Sequence, residues 1–213
     1  MLARGSFSWI MGMAFFTVVT WFAFKSKSIS GSGMLSSIVF LLFFIGVILT
    51  IFFIIFFRDP ERTPTGDEDD AVSPADGKVI SIQNRTICIF MNIHDVHVNR
   101  APLSGMVTHI DYKPGGYIPA FNKDSDVNER NHVVMKTASG TLELTQIAGV
   151  LTRRIVSYIS EGTQIKRGER IGMIRFGSRV DVTMPEGYVF TVKLNEAIKA
   201  GETIIAVKKG ENG

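Results

Sequence analysis

The first 57 residues contain no aspartate or glutamate, and the whole chain contains one cysteine. A single cysteine excludes an intramolecular disulfide framework. Cys88 lies in the apolar run Thr86-Ile87-Cys88-Ile89-Phe90 and reads as a small buried hydrophobe rather than a nucleophile. The chain lacks a His-Glu-x-x-His motif and has no third cluster of ligand-type residues to accompany His94 and His97, so no metal site is expected. Ser178 does not stand in a Gly-x-Ser-x-Gly elbow, which argues against a conventional hydrolase nucleophile. A basic face is missing too. The acid-free segment holds Arg4, Lys25 and Lys27, so the net charge of +3 comes entirely from it and residues 58–213 are formally neutral. This is not the charge pattern of a nucleic-acid binder.

What the N-terminal segment does contain is length and apolarity. Residues 7–24 form an uncharged run of 18, and residues 34–57 an uncharged run of 24 rich in Phe, Ile, Leu and Val. At 1.5 Å per residue the second run reaches about 36 Å as a helix, enough for a hydrocarbon core of about 30 Å. The first run is shorter and carries Ser8, Thr17 and Thr20. Between them lies the polar turn Lys25-Ser26-Lys27-Ser28-Ile29-Ser30-Gly31-Ser32-Gly33. The pattern predicts a two-helix membrane hairpin over residues 1–57, with a monotopic hairpin in one leaflet as the alternative. No signal-peptide cleavage pattern follows the first run. Lysine and arginine flank both ends almost equally, so charge does not orient the hairpin.

From residue 58 the texture changes to short Val-, Ile- and Thr-rich runs punctuated by Gly and Pro. Strands are expected at 78–83, 86–91, 106–112, 132–137, 141–148, 170–174, 180–184, 188–194 and 203–208, with one helical stretch near 153–158. The prediction is a mainly β barrel or sandwich filling 58–213. A short repeat supports it: Ile165-Lys166-Arg167-Gly168-Glu169-Arg170-Ile171 returns 33 residues later as Ile198-Lys199-Ala200-Gly201-Glu202-Thr203-Ile204. An Ile, Gly-turn, Ile pattern of this kind resembles the hairpins of biotinyl- and lipoyl-type barrel-sandwich folds. A swinging-arm carrier of that type would present a lysine between methionines, and no Met-Lys-Met occurs.

Three segments carry the candidate chemistry: Ser73-Pro74-Ala75-Asp76-Gly77, His94-Asp95-Val96-His97 and Phe176-Gly177-Ser178. Together they supply a carboxylate, two imidazoles and a hydroxyl behind a glycine, the parts needed to activate a serine. Glycine leaves the carbonyl before Ser178 accessible. An activated Ser178 Oγ attacking that carbonyl would convert the amide to an ester. Loss of the Ser178 Cα proton would then expel the ester oxygen, cut the chain and leave a dehydroalanine that hydrolyses to a pyruvoyl group. Each part also has an ordinary reading: Gly-Ser as a turn, the histidines as structural residues, Asp76-Gly77 as a hairpin turn.

The runs at 56–62, 72–79, 94–102 (His-Asp-Val-His-Val-Asn-Arg-Ala-Pro), 128–131 (Asn-Glu-Arg-Asn), 153–156 (Arg-Arg-Ile-Val) and 175–180 (Arg-Phe-Gly-Ser-Arg-Val), taken in order, resemble the short, pyruvoyl-dependent phosphatidylserine decarboxylases. The resemblance covers about 56–182. It implies cleavage between Gly177 and Ser178, with Ser178 becoming the pyruvoyl group and the Schiff-base partner of the substrate amine. It implies a self-processing triad of Asp76, His97 and Ser178, and proton transfer by His94 during decarboxylation. The substrate would be a serine phospholipid, phosphatidylserine or archaetidylserine, and the product the ethanolamine lipid. A homodimer of processed chains and a catalytic domain facing the cytoplasm at the cell membrane are implied as well. Where many members have Leu-Gly-Ser-Thr at the cut, this chain has Phe-Gly-Ser-Arg, which leaves the task of Arg179 open. Arg100, Arg130, Arg153 and Arg154 are candidates for the substrate phosphate. Two other readings stand beside this one: a membrane-anchored Ser-His-Asp hydrolase, and a non-catalytic lipoyl-like binding module.

Overall fold

The computed structural model describes residues 1–26, 33–115, 128–149, 155–175 and 178–209. The chain divides into two compact units, Met1–Pro60 and Glu61–Gly213.

The first unit is a pair of helices, α1 (Phe7–Lys25) and α2 (Gly33–Phe56). Both are long and apolar enough to cross a membrane. They run antiparallel against each other, with ring pairs Trp9–Phe53, Trp21–Phe43 and Phe24–Phe40 along the seam. Gly46 permits the close approach, since a Cβ there would meet the Thr17 hydroxyl at 2.7 Å. The Thr17 and Thr50 hydroxyls lie 3.1 Å apart across the seam, and each also donates to a carbonyl of its own helix. Internal satisfaction of that kind is what an apolar solvent demands of a hydroxyl. The outward faces are apolar, with Phe7, Phe15, Phe22, Leu41 and Ile48 exposed.

The second unit is mainly β. Its strands are β1 (Ala71–Val72), β2 (Gly77–Gln83), β3 (Thr86–Met91), β4 (Val98–Arg100), β5 (Gly105–Lys113), β6 (Arg130–Thr137), β7 (Gly140–Ala148), β8 (Ile155–Ser157), β9 (Gln164–Ile165), β10 (Arg170–Ile174), β11 (Ser178–Thr183), β12 (Tyr188–Phe190), β13 (Ala197–Ile198) and β14 (Ile204–Lys208). Eight of them form one open antiparallel sheet in the order β13-β2-β3-β11-β7-β6-β5-β9. Two three-stranded sheets, β1-β14-β12 and β4-β10-β8, complete the unit. Alternation along the strands sends Val180 and Val182 of β11, Leu142 and Leu144 of β7, and Val133 and Met135 of β6 into one buried core.

The long strands fall within one to two residues of their predicted limits. The helix expected near 153–158 is absent from its described part, where Ile155–Ser157 is the strand β8, held by Gly172, Met173 and Ile174 of β10. Branched Ile155 and Val156 suit a ladder better than a helical turn. Residues 153 and 154 lie outside the described residues. The strand expected over 188–194 closes at Phe190, ahead of a left-handed Asn195 (φ 70°).

The internal repeat is structural. Each copy is a two-residue strand, a turn with glycine in the left-handed region (Gly168, φ 76°; Gly201, φ 71°) and a five-residue strand. The two turns are held alike: Gly168 N–H donates to Ala101 O at 2.8 Å, and Gly201 N–H to Ser73 O at 2.7 Å. Ala101 and Ser73 N–H groups return the bond to Glu169 and Thr203 carbonyls, each at 2.8 Å.

Candidate active site

Ser178 opens β11, which lies in the interior of the eight-stranded sheet with β3 on one side and β7 on the other. It stands opposite Met91 and opposite Ala148. The residue is fully buried, and its hydroxyl has no hydrogen-bond partner among the described residues. Gly177 and Phe176 lie outside the described residues.

Asp76 sits on a bend leading into β2, not in a hairpin turn; the β2–β3 hairpin turns at Asn84-Arg85, with Asn84 left-handed (φ 52°). Gly77 brings this bend against β3. Its φ of 145° is one that a side chain resists, and a Cβ would drive into the Phe90 carbonyl. The Asp76 carboxylate is largely buried. Arg62 grips both of its oxygens, and Ala200 N–H donates to Oδ1 at 2.8 Å. A longer bond, 3.4 Å, reaches Oδ2 from Val96 N–H.

The two histidines part company. His97 is buried just ahead of β4, and its carbonyl accepts from Ile174 N–H at 3.1 Å. His97 Nδ1 lies 2.8 Å from the Asp95 carbonyl. A carbonyl only accepts, so Nδ1 carries the proton and Nε2 is the basic nitrogen. His94 is at the tip of the turn that Asp95 closes by accepting Asn92 N–H at 2.7 Å. Its side chain is 77% exposed, with Nε2 3.7 Å from Asp95.

The arginines proposed from sequence divide as follows. Arg100 is buried, donating to Gly168 O at 2.9 Å and so serving the first of the repeated turns. Arg130 opens β6 opposite Lys113 and Ile147, half-buried. Arg153 and Arg154 lie outside the described residues. Arg179 points to the sheet face opposite Ser178, where it forks onto Asp181 at 2.6 and 2.7 Å and lies 3.4 Å from Cys88 Sγ. Burial, then the Asp181 charge, pushes the Cys88 thiol up to about 11, consistent with an inert thiol.

Sequence reasoning missed a cavity. A hollow of about 630 Å³ is lined by Tyr112, Gly115, Glu129, Ile155, Val156 and Arg175. Its wall residue Glu129 accepts at its backbone carbonyl, at 2.9 Å, from the N–H of Ala148, the β7 residue opposite Ser178. Glu129 Oε1 accepts from Tyr112 OH at 2.9 Å and from Ile155 N–H at 3.3 Å. Burial pulls the Arg175 guanidinium below its ordinary value, while Tyr158 and Glu129 act in the other direction. Also unforeseen is a buried amide chain. Asn131 donates to Gln146 at 3.0 Å, Gln146 to Asn99 at 2.8 Å, and Asn99 to Met91 Sδ at 3.6 Å, ending on the residue opposite Ser178. No run of residues 99, 112, 129, 131, 146 and 175 shares a period, so only the sheet brings them together.

Comparison with known proteins gives a consistent picture. The family model described as phosphatidylserine decarboxylase matches residues 49–206. A protein of Methanococcoides burtonii named "Putative archaetidylserine decarboxylase proenzyme" is 49% identical over 209 residues, covering 98% of this chain and 97% of its own. The phosphatidylserine decarboxylase proenzyme of Streptomyces griseus is 52% identical over 155 residues, covering 70% and 71%. That of Nitratidesulfovibrio vulgaris is 47% identical over 178 residues, covering 78% and 82%.

Proposed function

The chain belongs to the phosphatidylserine decarboxylase family, and on that premise we propose that it is a self-processing decarboxylase that converts a serine phospholipid, phosphatidylserine or archaetidylserine, to the ethanolamine lipid and carbon dioxide. Its prosthetic group is a pyruvoyl group made from Ser178.

The observation that carries this reading is the buried hydroxyl of Ser178, which has no hydrogen-bond partner among the described residues. Leaving a hydroxyl buried without a partner costs about 1–3 kcal/mol, which a structural serine avoids by bonding to a nearby carbonyl. A hydroxyl kept in that condition is available to react. His97, with its proton fixed on Nδ1 by the Asp95 carbonyl, offers Nε2 as the base for the Ser178 proton. Oγ then bonds to the Gly177 carbonyl carbon as the Gly177–Ser178 C–N bond breaks, giving an ester. Removal of the Ser178 Cα proton breaks the Cβ–Oγ bond, releases the Gly177 carboxylate and leaves a dehydroalanine, which water converts to the ketone with loss of ammonia. Asp76 serves this step by anchoring Val96 N–H, next to His97, to Arg62 and Ala200.

The pyruvoyl group supplies an electrophilic carbonyl and a sink for the electrons released with carbon dioxide. Around it, this chain's residues exclude water and handle protons. The proton for the substrate carbon is assigned to His94, whose exposed position on a turn lets it meet a substrate arriving from outside the sheet. We read α1 and α2 as a membrane-spanning hairpin suited to a lipid substrate, on the strength of their length and exposed apolar faces. The paired glycine turns support a barrel-sandwich relationship for the catalytic domain. A cytoplasm-facing homodimer follows the family resemblance.

Intact mass of the purified chain, with Ser178→Ala alongside, tests the reading. Fragments 1–177 and a pyruvoyl-led 178–213 are expected, both lost in the variant, together with ethanolamine lipid formed from serine lipid in vesicles. A single full-length mass in a preparation that makes ethanolamine lipid overturns it.

A further inference from the structure

We propose that the cavity lined by Glu129 and Arg175 seats the substrate headgroup and that Arg175 holds its phosphodiester, an assignment that rests on the lipid-decarboxylase reading above. The cavity, about 630 Å³, is of the size that takes a small polar molecule, too small for a diacyl lipid with its tails. Its wall carries both signs of charge, the Glu129 carboxylate and the Arg175 guanidinium. A serine phospholipid headgroup also carries both, with an amine, a carboxylate and a phosphodiester. Among the described residues that line the cavity, Arg175 is the one cation, and it stands three residues ahead of Ser178.

The choice between the substrate's two anions follows from the reaction. Decarboxylation moves the carboxylate's charge away from its oxygens. A cation held on that group would stabilise the ground state more than the transition state and slow the step. The phosphodiester keeps its charge throughout, so a guanidinium on it binds ground and transition states alike and anchors the headgroup. The buried Glu129 carboxylate in the same wall repels the leaving carboxylate and favours the amine.

The test uses the full chain in detergent micelles and reads Arg175 by peptide mass after phenylglyoxal treatment. Three protectors are compared: glycerophosphoethanolamine, which has the phosphodiester and no carboxylate; O-methyl-L-serine, which has the carboxylate and no phosphate; and inorganic phosphate. The expected result is that only glycerophosphoethanolamine slows modification. In binding titrations Arg175→Met then weakens that ligand by about tenfold to a hundredfold and leaves O-methyl-L-serine unchanged, with Arg175→Lys in between. Protection by O-methyl-L-serine overturns the assignment in favour of the carboxylate. Equal protection by inorganic phosphate overturns it in favour of a general phosphate site. An Arg175 that does not react even without ligand shows a cavity closed to small molecules, which overturns it as well. Protection is read on the wild-type chain and does not depend on the variants folding. Intact mass of the same sample reports separately whether the chain has cut itself, so failure of the processing reading is distinguishable.

Discussion

Arg62 grips both carboxylate oxygens of Asp76, and the same guanidinium donates to Ala200 O at 2.8 Å. Both side chains are nearly buried, 7% and 11% exposed. Arg62 thereby ties three segments together: the stretch before β1, the bend into β2 and the second glycine turn. Removing one partner of a buried pair leaves the other charge unsatisfied, at a cost of about 3–5 kcal/mol. Arg62→Met is therefore expected to lower the urea midpoint strongly and to slow the appearance of cut chain. Asp76→Asn keeps the shape and some of the hydrogen bonds, so its stability loss is expected to be smaller while its cutting defect is at least as large. Equal loss in both measurements for the two variants would assign Asp76 to stability alone.

The proposed small chain, 178–213, carries β11, β12, β13 and β14, and every one of these pairs with another strand. β11 has ladders to both β3 and β7, while β13 pairs β2 and β14 pairs β1. Val180, Val182, Met184, Ile198 and Ile205 of this segment are buried in the common core. Each such side chain contributes about 1.5–3 kcal/mol of burial. The two fragments are expected to co-elute in native size exclusion and to separate only in denaturant. Release of the small chain under native conditions would contradict the ladder.

Gly77→Ala is expected to destabilise the chain by more than about 1 kcal/mol, because φ is 145° and a Cβ meets the Phe90 carbonyl. Since Gly77 sets the path of Asp76 along β3, cut chain should also diminish. A melting temperature equal to wild type would show that the bend relaxes without cost.

Cys88 is expected to resist iodoacetamide at pH 8 in the folded chain and to react once unfolded. Its folded value, about 11, is above the unfolded one, near 9.0. The folded state therefore holds the proton more tightly. Stability from this group is full below pH 9 and is lost as pH rises through 11. Cys88→Ser should flatten that decline in urea midpoint between pH 9 and 11; an unchanged slope would assign the decline to other groups.

The long strands were legible because alternation over six to nine residues leaves a strong period, as in Val133, Met135 and Thr137 of β6. Two- and three-residue strands such as Ala71–Val72 and Ala197–Ile198 carry no period and exist only through their partners. At the site, the sequence picked out Ser178, Asp76 and the two histidines as chemistry-bearing types, but the spacing of His94 and His97 could not say that one is exposed on a turn and the other buried. Arg175 and Glu129 stood in the runs at 175–180 and 128–131 with no role assigned, and Tyr112 in no such run, because sharing a cavity wall is a property of the sheet order. Arg100 has the charge of a phosphate ligand, yet its carbonyl partner in the Gly168 turn is visible only in three dimensions.

The place of β11 inside the sheet has one more consequence. An interior strand is seated only after the neighbours on both flanks have come into register, and Ser178 reaches its buried position as that strand is seated. In the proposed chemistry, then, scission is a certificate of correct assembly: molecules that have not completed the sheet stay whole and inert. The proportion of divided to undivided chains in a cell would serve as a running audit of how much of the protein had reached its working shape.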